Sequence, residues 1–153
     1  MKMLNVLLIA SIVAMIACGK DKNEPSKKSN RDIMSSHSWR ITAFTVNPPM
    51  NKNGVLVSDF LAIQQVCSQD DLFIFPTDST YTELAGATKC NPTDPDTLHT
   101  SPCILSKDEK QVTIEDYPNP LLIKSIDDKK MIWEGNFSKN AIDYTVTYTY
   151  ESK

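Results

Sequence analysis

The side chains in this sequence that could do acid–base, nucleophilic or metal chemistry are poorly spaced for it. His37 and His99 are the only histidines, and neither stands at the spacing of a zinc site or a catalytic triad. Asp70 and Asp71 are adjacent, so along a strand their side chains would face opposite sides and could not act as a pair. The pattern therefore predicts no catalytic residues, no cofactor and no enzymatic activity.

A second group of carboxylates lies in a proline-rich segment, CNPTDPDTLHTSPC, which carries Asp94 and Asp96. Carboxylates two residues apart in a loop can bind calcium. A calcium loop has more oxygen ligands at regular spacing and a glycine for its turn, and this segment lacks both. We therefore predict no metal site.

The N-terminus has the layout of a secretory signal: Lys2, an apolar run over residues 3–16, and the small residue Ala17 before Cys18. The apolar run has 14 residues. A helix needs about 20 residues to cross the hydrocarbon core of a bilayer, so this run is too short to be a permanent anchor. We therefore predict that residues 1–17 are a cleaved signal peptide.

Cys18 stands where a lipid could be attached. Residues 15–19, MIACG, resemble the lipobox of bacterial lipoproteins, although that family more often has leucine in place of Met15. The resemblance implies that Cys18 becomes the diacylated first residue of the mature chain. A multiply acylated cysteine would hold the protein firmly on a membrane, because each buried methylene contributes about 0.8 kcal/mol.

The segment after this cysteine is polar. Residues 19–32 read GKDKNEPSKKSNRD and contain no aliphatic or aromatic side chain. Such a segment cannot bury enough apolar surface to offset the entropy lost on ordering. The sequence therefore predicts a flexible tether over residues 18–34, followed by a single domain over residues 35–153.

The other three cysteines, Cys67, Cys90 and Cys103, would then face an oxidising compartment. One disulfide can form and one thiol must remain, which allows three pairings. We favour Cys67 with Cys90, because both flank loop-like sequence whereas Cys103 stands where a strand begins. This bridge would contribute about 3 kcal/mol through loop-closure entropy. Cys103 would then be a buried apolar side chain.

The domain sequence alternates between apolar and polar residues with the period of β-strands. The clearest case is residues 141–150, where the even positions are aliphatic or aromatic. Similar segments predict eight strands, at residues 37–46, 72–75, 80–84, 103–106, 111–115, 121–126, 131–137 and 141–150. The connections are short and rich in turn residues, which is typical of antiparallel neighbours.

Eight up-and-down strands with one apolar face can close into a barrel, which removes the exposed edges of the sheet. The predicted fold is therefore all-β, an eight-stranded antiparallel up-and-down barrel, with a two-sheet sandwich as the alternative. One short helix is predicted at residues 57–66, capped by Ser58 or Asp59.

Four segments in order, SSHSWRIT, CSQDDLFIF, STYTELAGATKC and LLIKSIDDKKMIW, resemble the small lipocalin-like lipoprotein domains of Bacteroidetes. The resemblance covers residues 35–150. It implies a lipocalin-like barrel on the outer membrane, on the periplasmic side or at the cell surface, with Cys67 and Cys90 as its bridge. One departure is Cys103, which occupies a place where those domains often carry tryptophan.

An eight-stranded barrel is about wide enough to hold one small molecule. Trp39, Phe75, Tyr81 and Trp133 are the candidates for contact with a small apolar ligand, unless they fill the interior themselves. We expect a non-enzymatic envelope lipoprotein that binds such a ligand or a protein partner; the alternative is an accessory subunit of an envelope complex. The net charge of −3 argues against nucleic acid as a partner.

Overall fold

The computed structural model describes residues 27–115 and 117–153. The predicted signal peptide, the predicted lipid attachment site at Cys18 and the first part of the predicted tether lie outside the described residues. Within the described ranges, no helix has the length and apolar character needed to cross a membrane.

The described chain forms one short α-helix and nine β-strands. The helix α1 spans Asn30–Ser35, and the strands are β1 (Ser38–Lys52), β2 (Val55–Asp59), β3 (Leu72–Ile74), β4 (Thr80–Leu84), β5 (Thr97–Leu105), β6 (Gln111–Ile114), β7 (Leu121–Ile126), β8 (Lys130–Lys139) and β9 (Ile142–Ser152). Neighbouring strands are antiparallel in the order β2-β1-β3-β4-β5-β6-β7-β8-β9, and β9 pairs back onto β1. Eight strands therefore close into an up-and-down barrel, and β2 lies outside it against β1. The predicted all-β, lipocalin-like barrel is confirmed.

The longest paired wall of the barrel consists of β8, β9 and β1, because β9 pairs with both neighbours along most of its length. The side chains that β9 buries are those at its alternate positions, Tyr144, Val146, Tyr148 and Tyr150. The predicted alternation thus forms the inner face of this wall from Tyr144 to Tyr150, whereas Ile142, at the mouth end of the strand, is exposed.

The helix predicted at residues 57–66 is wrong. The first residues of this segment belong to β2, and a single 3₁₀ turn, Val66–Ser68, follows. The Asp59 side chain turns the chain by accepting hydrogen bonds from the backbone N–H groups of Leu61 and Ala62, at 3.0 and 3.2 Å. So short an amphipathic run does not hold a helix without strong packing, because helix nucleation is costly.

The strand β2 forms because a tight turn follows β1. Asn53 and Gly54 both have positive φ, at 56° and 87°, as a two-residue hairpin turn of type I′ requires. The Asn51 side chain accepts a hydrogen bond from the Gly54 N–H at 2.9 Å. The Asn-Gly pair is the sequence signal for this hairpin, and it folds Val55–Asp59 back along the second half of β1.

The α-helix among the described residues lies in the segment predicted to be tether. Ser29 and Asp32 form a capping box: the Ser29 hydroxyl accepts a hydrogen bond from the Asp32 N–H at 3.0 Å, and the Asp32 carboxylate accepts one from the Ser29 N–H at 3.4 Å. Ile33 and Met34 are buried in the core. The folded part therefore begins before the predicted boundary at residue 34, because these two apolar side chains dock a well-capped turn onto the barrel.

Helix α1 covers one end of the barrel, which we call the closed end. Asn30 donates hydrogen bonds from its backbone N–H to Glu109 Oε2 and from Nδ2 to the Glu109 carbonyl, both at 2.7 Å, which ties α1 to the β5–β6 turn. Lys28 Nζ forms an ion pair with Asp128 Oδ1 in the β7–β8 turn at 2.8 Å. The opposite end, which we call the mouth, carries the β1–β2 hairpin, residues 60–71 and the β4–β5 loop.

Candidate ligand-binding cavity

Side chains fill the closed end of the barrel. Trp39, Met131 and Trp133 form a packed layer there and have 0% of their surface exposed. Trp39 Nε1 donates a hydrogen bond to the Met34 carbonyl at 2.9 Å, which fastens this packed layer to α1. A space at this end, bordered by Met34 and Phe75, measures about 10 Å³. It holds no more than about one water molecule.

Beyond the packed layer the barrel is hollow. A cavity of about 180 Å³, which we call the inner cavity, is lined by aliphatic and aromatic side chains: Ile41, Phe73, Phe75, Tyr81, Ile114, Tyr117, Leu121, Tyr148 and Tyr150. Phe75 and Tyr150 form its floor, because their rings also contact Trp133, with centroids 5.1 and 5.0 Å away. Burial raises the pKa of Tyr117 and of Tyr150 well above the ordinary value, so both hydroxyls stay neutral.

A second cavity of about 410 Å³, which we call the outer cavity, lies at the mouth. Its lining mixes apolar and polar side chains: Ile41, Leu61, Gln64, Gln65, Ser68, Gln69, Asp71, Phe73, Glu83 and Leu98. Ile41 and Phe73 line both cavities. The two spaces therefore adjoin, with these two side chains between them.

A disulfide braces the mouth. Cys67, in the 3₁₀ turn, is joined to Cys90 in the β4–β5 loop, which confirms the predicted pairing. Cys103 keeps a free thiol that is buried on β5, and burial raises its pKa to about 12. It is therefore a packed, unreactive side chain at neutral pH.

Asp70 and Asp71 hold the β4–β5 loop against the mouth. Asp70 Oδ2 accepts a hydrogen bond from the Thr88 N–H, and Asp71 Oδ1 accepts one from the Gly86 N–H, both at 3.0 Å. A side chain at position 86 would collide with the backbone of Asp70, so glycine permits this close approach. The hydrogen bonds fix the Asp71 carboxylate at the edge of the outer cavity.

Asp71 and Glu83 carry the negative charge of the outer cavity. Asp71 is 6% exposed. Burial raises the pKa of its carboxyl, the hydrogen bond from Gly86 opposes this, and the charge of Asp70 adds to it. Burial likewise raises the pKa of Glu83, with Asp71 adding to the effect and His99 opposing it. Both carboxyl groups are thus held partly out of water at the opening of the barrel.

The four aromatic side chains predicted for ligand contact divide between the two halves of the barrel. Phe75 and Tyr81 line the inner cavity. Trp39 and Trp133 belong to the packed layer and do not line it. Ligand contact stays a prediction for Phe75 and Tyr81, whereas the two tryptophans stabilise the closed end.

Three residues line the cavities but were not predicted as site residues: Glu83, Tyr117 and Tyr148. Glu83 follows Tyr81 by two positions, so it shares the inward face of β4. A charge at an inward position is a readable signal of a site. Tyr148 lies within the alternation of β9, but Tyr117 stands in the β6–β7 connection, where no periodic pattern indicates that it points inward.

The two histidines lie apart from each other. His37 Nε2 is 3.5 Å from Asp128 Oδ1 at the closed end. The His99 ring lies beside Tyr81, with centroids 5.7 Å apart. The part of the chain that the structure describes contains no group of three or more His, Cys, Asp and Glu side chains placed to hold a metal ion.

No protein-family model and no curated protein matches the chain. The function is therefore inferred from geometry: a barrel with a packed closed end, an apolar inner cavity and an acidic mouth. This is the geometry of a container with an opening at one end.

Proposed function

We propose that this chain is a non-enzymatic binding protein that takes a small, mostly apolar molecule into the inner cavity of its barrel. The observation that carries the proposal is the cavity of about 180 Å³ with aliphatic and aromatic walls. For comparison, an engineered apolar cavity of about 150 Å³ in another protein stays dry and binds benzene. A molecule with one ring or two fused rings matches the space here.

We further propose that the barrel is an outer-membrane lipoprotein of the lipocalin-like class of Bacteroidetes. The lipobox-like residues 15–19, with the acyl acceptor Cys18, support the lipid anchor, and the barrel fold is the one that this class would have. Lys28, near the end of the proposed tether, contacts Asp128 at the closed end. The tether would therefore join the barrel opposite the mouth, so a ligand would enter from the aqueous side rather than from the anchoring membrane.

Metabolic labelling with a lipid precursor in the native host tests the anchor. The wild-type protein should be labelled and recovered with membranes, whereas Cys18→Ser should be unlabelled and unprocessed. An unlabelled wild-type protein would refute the lipoprotein proposal and leave the cavity proposal standing.

Titration of the purified protein with 3-methylindole, followed by amide NMR, tests the cavity. The shifts should be largest at residues that line the inner cavity. Ile114→Phe adds bulk inside this cavity and should weaken binding by about tenfold or more. Ile104→Phe adds the same ring on the outer face of β5, where Ile104 is 55% exposed, and should leave the affinity unchanged. Thermal unfolding of both variants verifies that they fold, and failure of the wild type to bind 3-methylindole or benzene would refute the proposal.

An accessory subunit of an envelope complex is the second candidate, favoured by exposed apolar side chains near the mouth. Val55 and Leu56 on β2 are 64% and 69% exposed. In the described part of the chain, the outer edge of β2 pairs with no other strand. Such an edge can accept a strand from another protein. Cross-linking from position 56 in the native envelope should recover one constant neighbour if this candidate is right, and no constant neighbour if it is wrong.

A further inference from the structure

The inner and outer cavities adjoin but differ in chemistry. The inner cavity is aliphatic and aromatic, whereas the outer cavity adds two acidic side chains, Asp71 and Glu83, and three glutamines. Ile41 and Phe73 border both cavities, so a ligand longer than the inner cavity would extend past these two side chains into the outer one. The two ends of such a ligand would meet different surroundings.

The alternation of side chains places Asp71 in the outer cavity, two positions from Phe73, which borders both cavities. Asp71 and Phe73 are two positions apart on one extended segment, so both face the barrel interior. The Gly86 N–H donates a hydrogen bond to Asp71 Oδ1 at 3.0 Å. No other described residue donates a hydrogen bond to this carboxylate, although Asp71 is only 6% exposed. Its second oxygen is not among the fully buried atoms that lack a hydrogen-bond partner, so a ligand in the outer cavity could reach it.

Glu83 faces the same space from the neighbouring strand. It stands opposite Phe73 in the register of β3 and β4, is half-buried, and lines the outer cavity. The charged groups that act on it are Asp71, which is repulsive, and His99, which is attractive. Among the described residues, no lysine or arginine forms an ion pair with Asp71 or Glu83. The two carboxylates therefore concentrate negative charge in the outer cavity, at the mouth of the barrel.

Carboxylates that are partly buried without a lysine or arginine partner are costly to the folded protein. A protonated amine on a ligand would supply charge-assisted hydrogen bonds to both, and the aromatic walls would also attract a cation. We infer that the ligand is an amphipathic amine, whose apolar ring system lies in the inner cavity and whose ammonium group lies between Asp71 and Glu83. The inference rests on the proposed function and names the class of its ligand.

A bare metal ion fits the outer cavity less well than an organic cation. In residues 27–115 and 117–153, the His, Cys, Asp and Glu side chains form no group of three or more that could hold an ion. The volume of about 410 Å³ is also far larger than an ion needs. The Gln64 and Gln65 side chains in the lining offer amide oxygens, which suit the N–H groups of an ammonium.

Calorimetry with three indoles that differ in charge tests the inference. Tryptamine is a cation, 3-methylindole is neutral and indole-3-propionate is an anion at neutral pH, and all three share one ring system. Tryptamine should bind about tenfold or more tightly than 3-methylindole, because it adds hydrogen bonds between charged groups. Indole-3-propionate should bind most weakly, because the two carboxylates repel it.

Two variants remove the charges while keeping the shape of the side chains. Asp71→Asn and Glu83→Gln should each weaken tryptamine binding by about tenfold and leave 3-methylindole binding unchanged. The asparagine can still accept the hydrogen bond from Gly86, so the loop is retained. The control Glu151→Gln removes an equal charge from the exposed surface near the closed end and should change neither affinity.

Three other results would overturn the amine inference, and one of them would also overturn the proposed function. Equal affinities for tryptamine and 3-methylindole would overturn the amine inference while leaving the apolar cavity as a binding site. A loss of 3-methylindole binding in Asp71→Asn, equal to the loss of tryptamine binding, would assign the carboxylate to the shape of the mouth and also overturn the inference. Absence of binding by all three indoles would overturn the proposed function together with the inference.

Discussion

The closed end and the mouth are built from the same eight strands, yet their interiors differ. A space at the closed end beside α1 measures about 10 Å³, whereas the cavities toward the mouth measure about 180 and 410 Å³. The difference follows from the side chains at inward positions: Trp39, Met131 and Trp133 meet in one layer at the closed end. The same alternating pattern therefore produces a packed core or a container, depending on which side chains take the inward positions.

The two ends are also fastened by different means. Helix α1 is held to the closed end by Asn30, which bonds to Glu109, and by the Trp39 hydrogen bond to Met34. The mouth is held by a disulfide and by backbone hydrogen bonds to two aspartates. Stability should therefore depend most on the closed end, and ligand binding on the mouth.

The largest difference between the two halves is expected when one large side chain in each is truncated and the loss of folding stability is measured. Trp133→Ala empties the packed layer and should lower the free energy of unfolding by about 3–5 kcal/mol. Tyr81→Ala removes ring contacts with Phe73, Phe75 and His99 but enlarges a cavity that already exists, so it should cost less, about 2 kcal/mol. Urea denaturation followed by circular dichroism measures both, and equal losses in the two variants would refute the division into a filled and a hollow half.

Removal of the disulfide should give the next largest effect. Replacing Cys67 and Cys90 together with serine should lower the free energy of unfolding by about 3 kcal/mol, because the unfolded chain regains loop entropy. It should also weaken 3-methylindole binding, since the mouth loses its brace. Hydrogen exchange should then increase most at the mouth, whereas amides of the packed layer should speed up only as far as the lower free energy of global unfolding requires. A larger increase at the closed end than at the mouth would contradict this picture.

The smallest effect on the free energy of unfolding is expected from removing the charge of Asp71. The pKa of Asp71 is raised in the folded state, so ionisation of its carboxyl destabilises the fold. The free energy of unfolding therefore falls as the pH rises through the folded-state pKa. It recovers as the pH falls toward the pKa of the unfolded state. Asp71→Asn should therefore be as stable as the wild type at pH 7, or more stable by about 1 kcal/mol or less. Asp70 and Glu83 are the other acidic groups near this carboxyl.

Denaturation of the wild type and of Asp71→Asn across the acidic pH range checks this prediction. If Asp71→Asn is the more stable protein at pH 7, the difference in free energy of unfolding should decrease as the wild-type carboxyl becomes protonated at lower pH. A variant that is less stable than the wild type at pH 7 would show that the charge stabilises the mouth.

How well the sequence predicts the structure also differs between regions. Long strands with one buried face are readable from alternation, as residues 141–150 show for β9. The bridge between Cys67 and Cys90 is readable too, because both cysteines flank loops. Short elements such as α1 and β2 depend on a single cap or turn, so their boundaries are set by local hydrogen bonds that composition does not reveal.

The position of the cavity is harder to read from the sequence than the barrel itself. Alternation assigns both Trp133 and Tyr81 to the interior, but whether inward side chains meet or leave a void depends on their summed volume in three dimensions. Glu83 could have been predicted as a site residue from the sequence, because it places a charge at an inward position of β4. Tyr117 reaches the cavity from a loop, where periodicity carries no information.

A crystal structure of the protein under xenon pressure tests the central claim most directly: that the barrel is packed at its closed end and hollow toward its mouth. Xenon enters dry apolar cavities. We predict xenon in the inner cavity, beside Phe75, Tyr81 and Ile114, and none between α1 and the packed layer. An inner cavity filled by side chains, or xenon bound at the closed end instead, would contradict the claim.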